Sequence, residues 1–139
     1  MSTRSTITIS SNKEYNDFGY KTIYCHFDGY PSGVGAMLIK HYDTHEKVEA
    51  LIALGSLSYL RERIAPTADE THSFNKPVDG VTVAYHRDRG EPLVISQYDT
   101  LSDLTQDLEE YNYLFEDGRW YTIESAIEYR LRPLLVSLE

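Results

Sequence analysis

The chain has 139 residues, 41% hydrophobic and 25% charged, which fits one folded domain over residues 1–139 and lies far from the composition of disordered chains. A formal charge of -9 makes the average surface repel polyphosphate, so a nucleic-acid polymer is excluded as a sequence-independent partner, while a small phosphorylated ligand or a basic protein is not. The lone Cys25 offers no intramolecular disulfide, residues 1–5 lack the apolar stretch of a secretory signal, and no run of eighteen apolar residues occurs; a cytoplasmic protein with no membrane partner is expected.

Residues 6–10 (TITIS) and 21–27 around Ile23 and Cys25 alternate as strands do. Asn12, Asn16, Asp17 and Gly19 lie between them as turn formers, so the two strands are expected to form a hairpin. Val34, Met37, Leu38 and Tyr42 then make the stripe of a short helix. A second helix starts at Asp43 or Thr44, buries Val48, Leu51 and Ile52, and stops at Gly55. Leu57, Leu60 and Ile64 predict further helical turns before Pro66.

Residues 67–77 have no periodicity and read as a surface loop. Residues 80–86 (GVTVAYH) predict a strand, and residues 93–96 a shorter one. A helix is expected from Thr100, with Leu101, Leu104, Leu108 and Tyr111 as its stripe. Residues 112–115 and 119–123 flank Glu116-Asp117-Gly118 as a hairpin, and Ser125 with Glu128 can cap a last helical turn. The order implies an α+β fold, a mainly antiparallel sheet with helices packed on one face.

Residues 24–35 (YCHFDGYPSGVG) run from a strand through glycines into a helix, a geometry that presents N–H groups to an anion. Asp28, Tyr30, Ser32 and Gly33 are its candidate ligand contacts. The alternative is structural: Gly29 and Pro31 make the turn, while Gly33 and Gly35 permit close packing. His26 and Asp28 stand two apart, as do His86 and Asp88, and on strand ends this spacing puts each pair on one face.

A cleft holding both pairs would gain Arg87 and Arg89 as phosphate clamps, Arg4 from the first strand, and Tyr30 or Tyr85 as a stacking surface. His26 and His86 would be the base and acid if the site cleaved a phosphodiester. No metal-ligand spacing is present and no cofactor is expected. Residues 99–117 carry seven carboxylates and no Lys or Arg, a solvated face or a docking surface for a basic protein.

Residues 1–7 (MSTRSTI), 23–31 (IYCHFDGYP), 47–55 (KVEALIALG), 83–91 (VAYHRDRGE) and 110–115 (EYNYLF) together resemble a family of small bacteriophage and prophage proteins of unassigned function. Its members commonly carry Trp where this chain has Phe27. The resemblance implies an accessory protein acting in the cytoplasm of an infected bacterial host. Proteins of that kind often blunt host defence by sequestering or degrading a nucleotide immune signal, or by docking on a CRISPR, restriction or other defence protein. Capture of a phosphorylated, nucleotide-derived ligand is therefore the leading expectation, alone or shared with a second copy of the chain.

Overall fold

Ile7 and Ile9 point to the same side of the first strand and must be covered, because each buried aliphatic side chain is worth about 1.5–3 kcal/mol. The computed structural model describes residues 2–10 and 19–123 and the backbone of 131–133. The hairpin loop expected over residues 11–18 and the helical turn expected after Ser125 lie outside them. Strands β1 (Ser5–Ser10) and β2 (Tyr20–Cys25) pair antiparallel, with Ile7 opposite Ile23. On the other side of β1, strand β6 (Tyr111–Glu116) pairs parallel, with Ile7 opposite Tyr113.

The strands between β2 and β6 are β3 (Leu57–Tyr59), β4 (Val83–Ala84) and β5 (Ser96–Tyr98); β7 (Arg119–Ile123) and β8 (Leu131–Pro133) follow. Among the described residues the sheet order is β4-β3-β2-β1-β6-β7-β8, with β5 also paired to β2. The α+β class stands, but the sheet is mixed, since β1 with β6 and β2 with β3 run parallel. For β2 and β3 the cause is the connection between them, which crosses over through helices and so returns in the same direction.

That connection begins with a π-helical turn (Pro31–Gly35) and continues through α1 (Ala36–His41) and α2 (His45–Ile52). Thr44 caps α2 by accepting from the Lys47 N–H, and Gly55 at φ +75° follows its end, both where spacing places them. Leu38, Tyr42, Val48 and Leu51 pack with Ile7, Ile9, Ile23 and Phe115 in the main core. Trp120 Nε1 donates to the Tyr42 carbonyl at 2.8 Å, and the Tyr42 hydroxyl donates to the Arg61 carbonyl at 2.6 Å. The end of α1 is thereby tied to β7 on one side and to the exit of β3 on the other.

On the opposite face Thr8 bonds Thr22 at 2.7 Å and Thr6 donates to Asn112 at 2.8 Å. There the short α4 (Leu101–Leu104) and a 3-10 turn (Thr105–Asp107) place Leu104 against Leu114 and Ile123. Thr100 caps α4 through the Asp103 N–H. The helices therefore cover both faces, the larger pair on one and α4 on the other. Tyr111 belongs to β6 rather than to the α4 stripe, and β6 turns into β7 through Asp117 (φ 51°) and Gly118 (φ 77°), the paired left-handed turn of a two-residue hairpin.

Three expectations are corrected. Residues 57–59 form a strand rather than helical turns, because the backbone past β2 needs a partner: His26 N–H donates to Leu57 O and Phe27 N–H to Ser58 O, at 3.0 and 3.1 Å. The strand expected over residues 80–86 is cut to Val83–Ala84, and Tyr85–Arg89 form helix α3, closed by Gly90 at φ +77°. The short strand of the 93–96 region lies later, at Ser96–Tyr98.

Gly29 seats the crossover on the sheet. A Cβ there would lie 2.6 Å from the Thr3 carbonyl oxygen and 2.9 Å from Ser5 Cβ, and the Gly29 carbonyl accepts the buried Tyr113 hydroxyl at 2.6 Å. Tyr113→Phe removes that donor and is expected to cost about 1–3 kcal/mol in urea unfolding, with Gly29→Ala also destabilising through the clash. Cys25 is buried and its thiol is pushed up to about 12 by that burial, so Ellman's reagent is expected to find no reactive thiol in the native protein and one after denaturation.

Candidate ligand-binding site

Three N–H groups of the glycine-bearing turn are already bonded to backbone carbonyls. Gly29 N–H donates to Thr3 O, Gly33 N–H to Tyr30 O and Val34 N–H to Asp28 O, all within 2.9 Å. Asp28 turns the chain at φ 59°, and a Cβ on Gly33 would collide with the Asp28 carbonyl. Gly29 and Gly33 allow close approach of the backbone here, and these three donors are taken by carbonyls of the chain itself.

Two depressions flank this segment, and the chain passes from one to the other between Phe27 and Asp28. The first, of about 360 Å³, is walled by aromatic rings. His26 meets Phe27 edge-on at 4.5 Å, Phe27 stacks on Tyr59 at 4.6 Å with the planes 15° apart, and Phe74 lies 5.5 Å from Tyr85. Arg89 from α3 places its guanidinium carbon 4.8 Å from the centre of the Phe74 ring. The Tyr24 hydroxyl and His26 Nδ1 are 2.6 Å apart, a hydrogen bond that orients the imidazole ring. Burial pushes the Tyr24 hydroxyl up, only partly offset by Arg4, so Tyr24 keeps its proton.

Phe74 and Pro77 reach this pocket from the 67–80 segment, which has no helix or strand yet is anchored at several points. Arg63 grips Glu70 through two bonds of 2.8 and 3.1 Å. His72 Nδ1 accepts the Val78 N–H at 3.0 Å, and its Nε2 lies 3.1 Å from Asp88 Oδ2, off the line of a good hydrogen bond. Asp88 also accepts from the Ala84 N–H and from Arg87. Burial opposes its ionisation, but Arg87, the Ala84 N–H and His72 outweigh that and hold the carboxyl below its ordinary value.

The proposed cleft residues therefore divide. His26, Tyr85 and Arg89 meet in the aromatic pocket. Asp28, Tyr30, Ser32 and Gly33 line the second depression, of about 540 Å³. Arg87 and Asp88 instead build the scaffold: Arg87 donates to the carbonyls of Ile64 and Thr82, and the Asp88 side chain is 4% exposed. His86 is exposed on α3, its Nδ1 2.7 Å from the Glu91 carbonyl, and does not line the pocket that His26 lines. The reason is local: on a helix two residues apart point about 200° apart, so the His–Asp pairing that a strand end would create is lost.

Arg4 is exposed and lines neither pocket; its backbone bonds Glu110 and Tyr111. Of the carboxylates in residues 99–117, Asp107 accepts from Tyr98 and Glu110 from the Arg4 backbone. His45 pairs with Glu49 along α2, while His41 ends α1. Among the described residues no group of three or more His, Cys, Asp or Glu is arranged to hold a metal ion, and no helix is long and apolar enough to cross a membrane.

Tyr59 and Phe74 line the first depression and Lys40 and Arg61 the second, and motif reasoning singled out none of them. Phe74 carried one signal, a lone aromatic in a polar loop. Tyr59 and Arg61 became visible only once residues 57–59 proved to be a strand, because alternation then governs their directions. No protein-family model, curated protein or solved structure matches this chain.

The anchors of the 67–80 segment have a defined pH response. Arg63 and the Thr67 N–H lower Glu70 from 4.5 to about 2, and Asp88 is lowered as well. A depressed carboxyl contributes its stability above the unfolded value, so the contribution of Glu70 is full above about pH 4.5 and is lost as pH falls through about 2. Hydrogen exchange is expected to report opening of residues 67–80 in acid ahead of the β1–β2–β6 core. Simultaneous loss of both would remove the anchoring role.

Proposed function

We propose that the protein binds a small nucleotide-derived ligand, with the base in the aromatic pocket and an anionic group near Arg89 and His26. The observation that carries this reading is the convergence of His26, just past β2, with Tyr85 and Arg89 of α3 on one pocket also walled by Phe27, Tyr59 and Phe74. Aromatic faces hold a nucleobase by stacking, at about 1–3 kcal/mol per base, and a volume of about 360 Å³ falls in the range of small-molecule sites. An arginine at the rim supplies charge against the acidic average of the surface.

Binding without conversion is favoured over hydrolysis, because His26 has no second histidine in its pocket to complete an acid–base pair. In the bacteriophage setting that the sequence resemblance implies, such capture would lower the free concentration of a host nucleotide signal. Its role would be that of an anti-defence sponge.

Calorimetric titration with adenylate, guanylate and cyclic dinucleotides is the direct measurement. Binding is expected for at least one of them, weakened about tenfold or more by Phe74→Ala and by Arg89→Ala, with both variants still folded by circular dichroism. Chromatography after heat denaturation is expected to return the ligand intact. An altered product would replace capture by phosphodiester cleavage, and absence of binding to every nucleotide would overturn the pocket reading.

A further inference from the structure

Arg61 stands between the two depressions. Its guanidinium carbon lies 4.6 Å from the centre of the Tyr59 ring, a wall of the aromatic pocket, while Arg61 itself lines the 540 Å³ depression. The strand passes from one to the other between Tyr59 and Leu60, just as the neighbouring segment does between Phe27 and Asp28. The linings of the two spaces are therefore adjacent in sequence at both of these points.

Arg61 also differs from its neighbours in how far its charge is already engaged. Arg63 has Glu70 at 2.8 Å, Arg87 has Asp88 at 2.8 Å and Arg89 has Glu91 at 3.1 Å. Among the described residues the nearest carboxylate oxygen to Arg61 is that of Asp28, at 4.0 Å. One of its nitrogens donates to the Leu60 carbonyl at 3.0 Å, so the group is held in position while its remaining donors can take an anion.

The larger depression has the chemistry of a nucleoside site. Val34 and Leu60 give it a buried apolar base, exposed Tyr30 offers a ring face, and Asp28 and Glu62 offer carboxylates to sugar hydroxyls or an exocyclic amine. Lys40 adds a second cation at its wall.

We propose that the ligand is a dinucleotide: one base in the aromatic pocket, the linking phosphate on Arg61, and the second nucleoside in the depression beside Asp28 and Tyr30. This rests on the nucleotide-binding reading and names the class of ligand for it. A mononucleotide fills only the aromatic end and makes no use of the second depression.

The test compares adenylate and guanylate with the phosphodiester-linked dinucleotides pApA and pGpG by calorimetry, on the intact protein and on Arg61→Ala and Tyr30→Ala. The dinucleotide of the preferred base is expected to bind about tenfold or more tightly than its mononucleotide. Arg61→Ala and Tyr30→Ala are each expected to erase that advantage, with Tyr30→Ala leaving mononucleotide affinity within about twofold. Equal binding of mono- and dinucleotide, or equal weakening of both by Arg61→Ala, would overturn the dinucleotide assignment and leave the aromatic pocket standing. Binding of neither class would overturn both.

Discussion

The buried bond from the Tyr113 hydroxyl to the Gly29 carbonyl, 2.6 Å long, fixes where the chain leaves the sheet. Tyr113 stands opposite Ile7 in the central strand pair, so it reports the position of the sheet directly to the turn. Burial pushes its hydroxyl well above the usual tyrosine range, which keeps it a donor under all ordinary conditions. Because Gly29 has no side chain, the turn can approach Thr3 and Ser5 closely enough for that bond to form. Everything that follows, the direction of the crossover and the arrival of β3 beside Cys25, starts from this seat.

The same seat divides the candidate site. Phe27 and Asp28 are adjacent in sequence, yet one contributes a ring to an aromatic wall and the other a carboxylate to a polar one. A turn that reverses at Asp28 with φ 59° makes this separation possible. Charge is distributed with equal economy: in this strongly acidic protein Arg63, Arg87 and Arg89 are paired with carboxylates, and Arg89, like Arg61, also lies against an aromatic face at a cavity. Arginine tolerates both roles because its planar group can stack and donate at once.

Much of the framework was legible before any coordinates. The Thr44 cap, the Val48, Leu51 and Ile52 face, the stop at Gly55 and the Asp117-Gly118 hairpin all follow from local rules whose physical basis lies within a few residues. The failures share a cause. Leu57, Leu60 and Ile64 have helical spacing, but the edge of β2 has hydrogen-bonding groups that only an extended segment can satisfy. The run after Gly80 has strand composition, but the Ala84 N–H is claimed by the Asp88 carboxylate one helical turn on, which starts α3 and redirects His86. The site was thus half visible: its residue types were recognisable, whereas the grouping of His26 with Phe74 depends on a loop anchored by His72, contacts of long sequence separation that no local pattern encodes.

Helix α3 begins where β4 ends, and β4 is only two residues long. The outermost strand on that side therefore offers almost no free backbone to a passing chain, and the sheet is blunted against end-on growth. Strand β5, which shares an edge of β2 with β3, is itself three residues long and adds little more. Short edge strands of this kind protect a sheet against aggregation. Here it comes from the same change of backbone direction that turns Arg89 toward the pocket. The short edge and the placement of Arg89 thus depend on one junction, and lengthening β4 at the expense of α3 would change both.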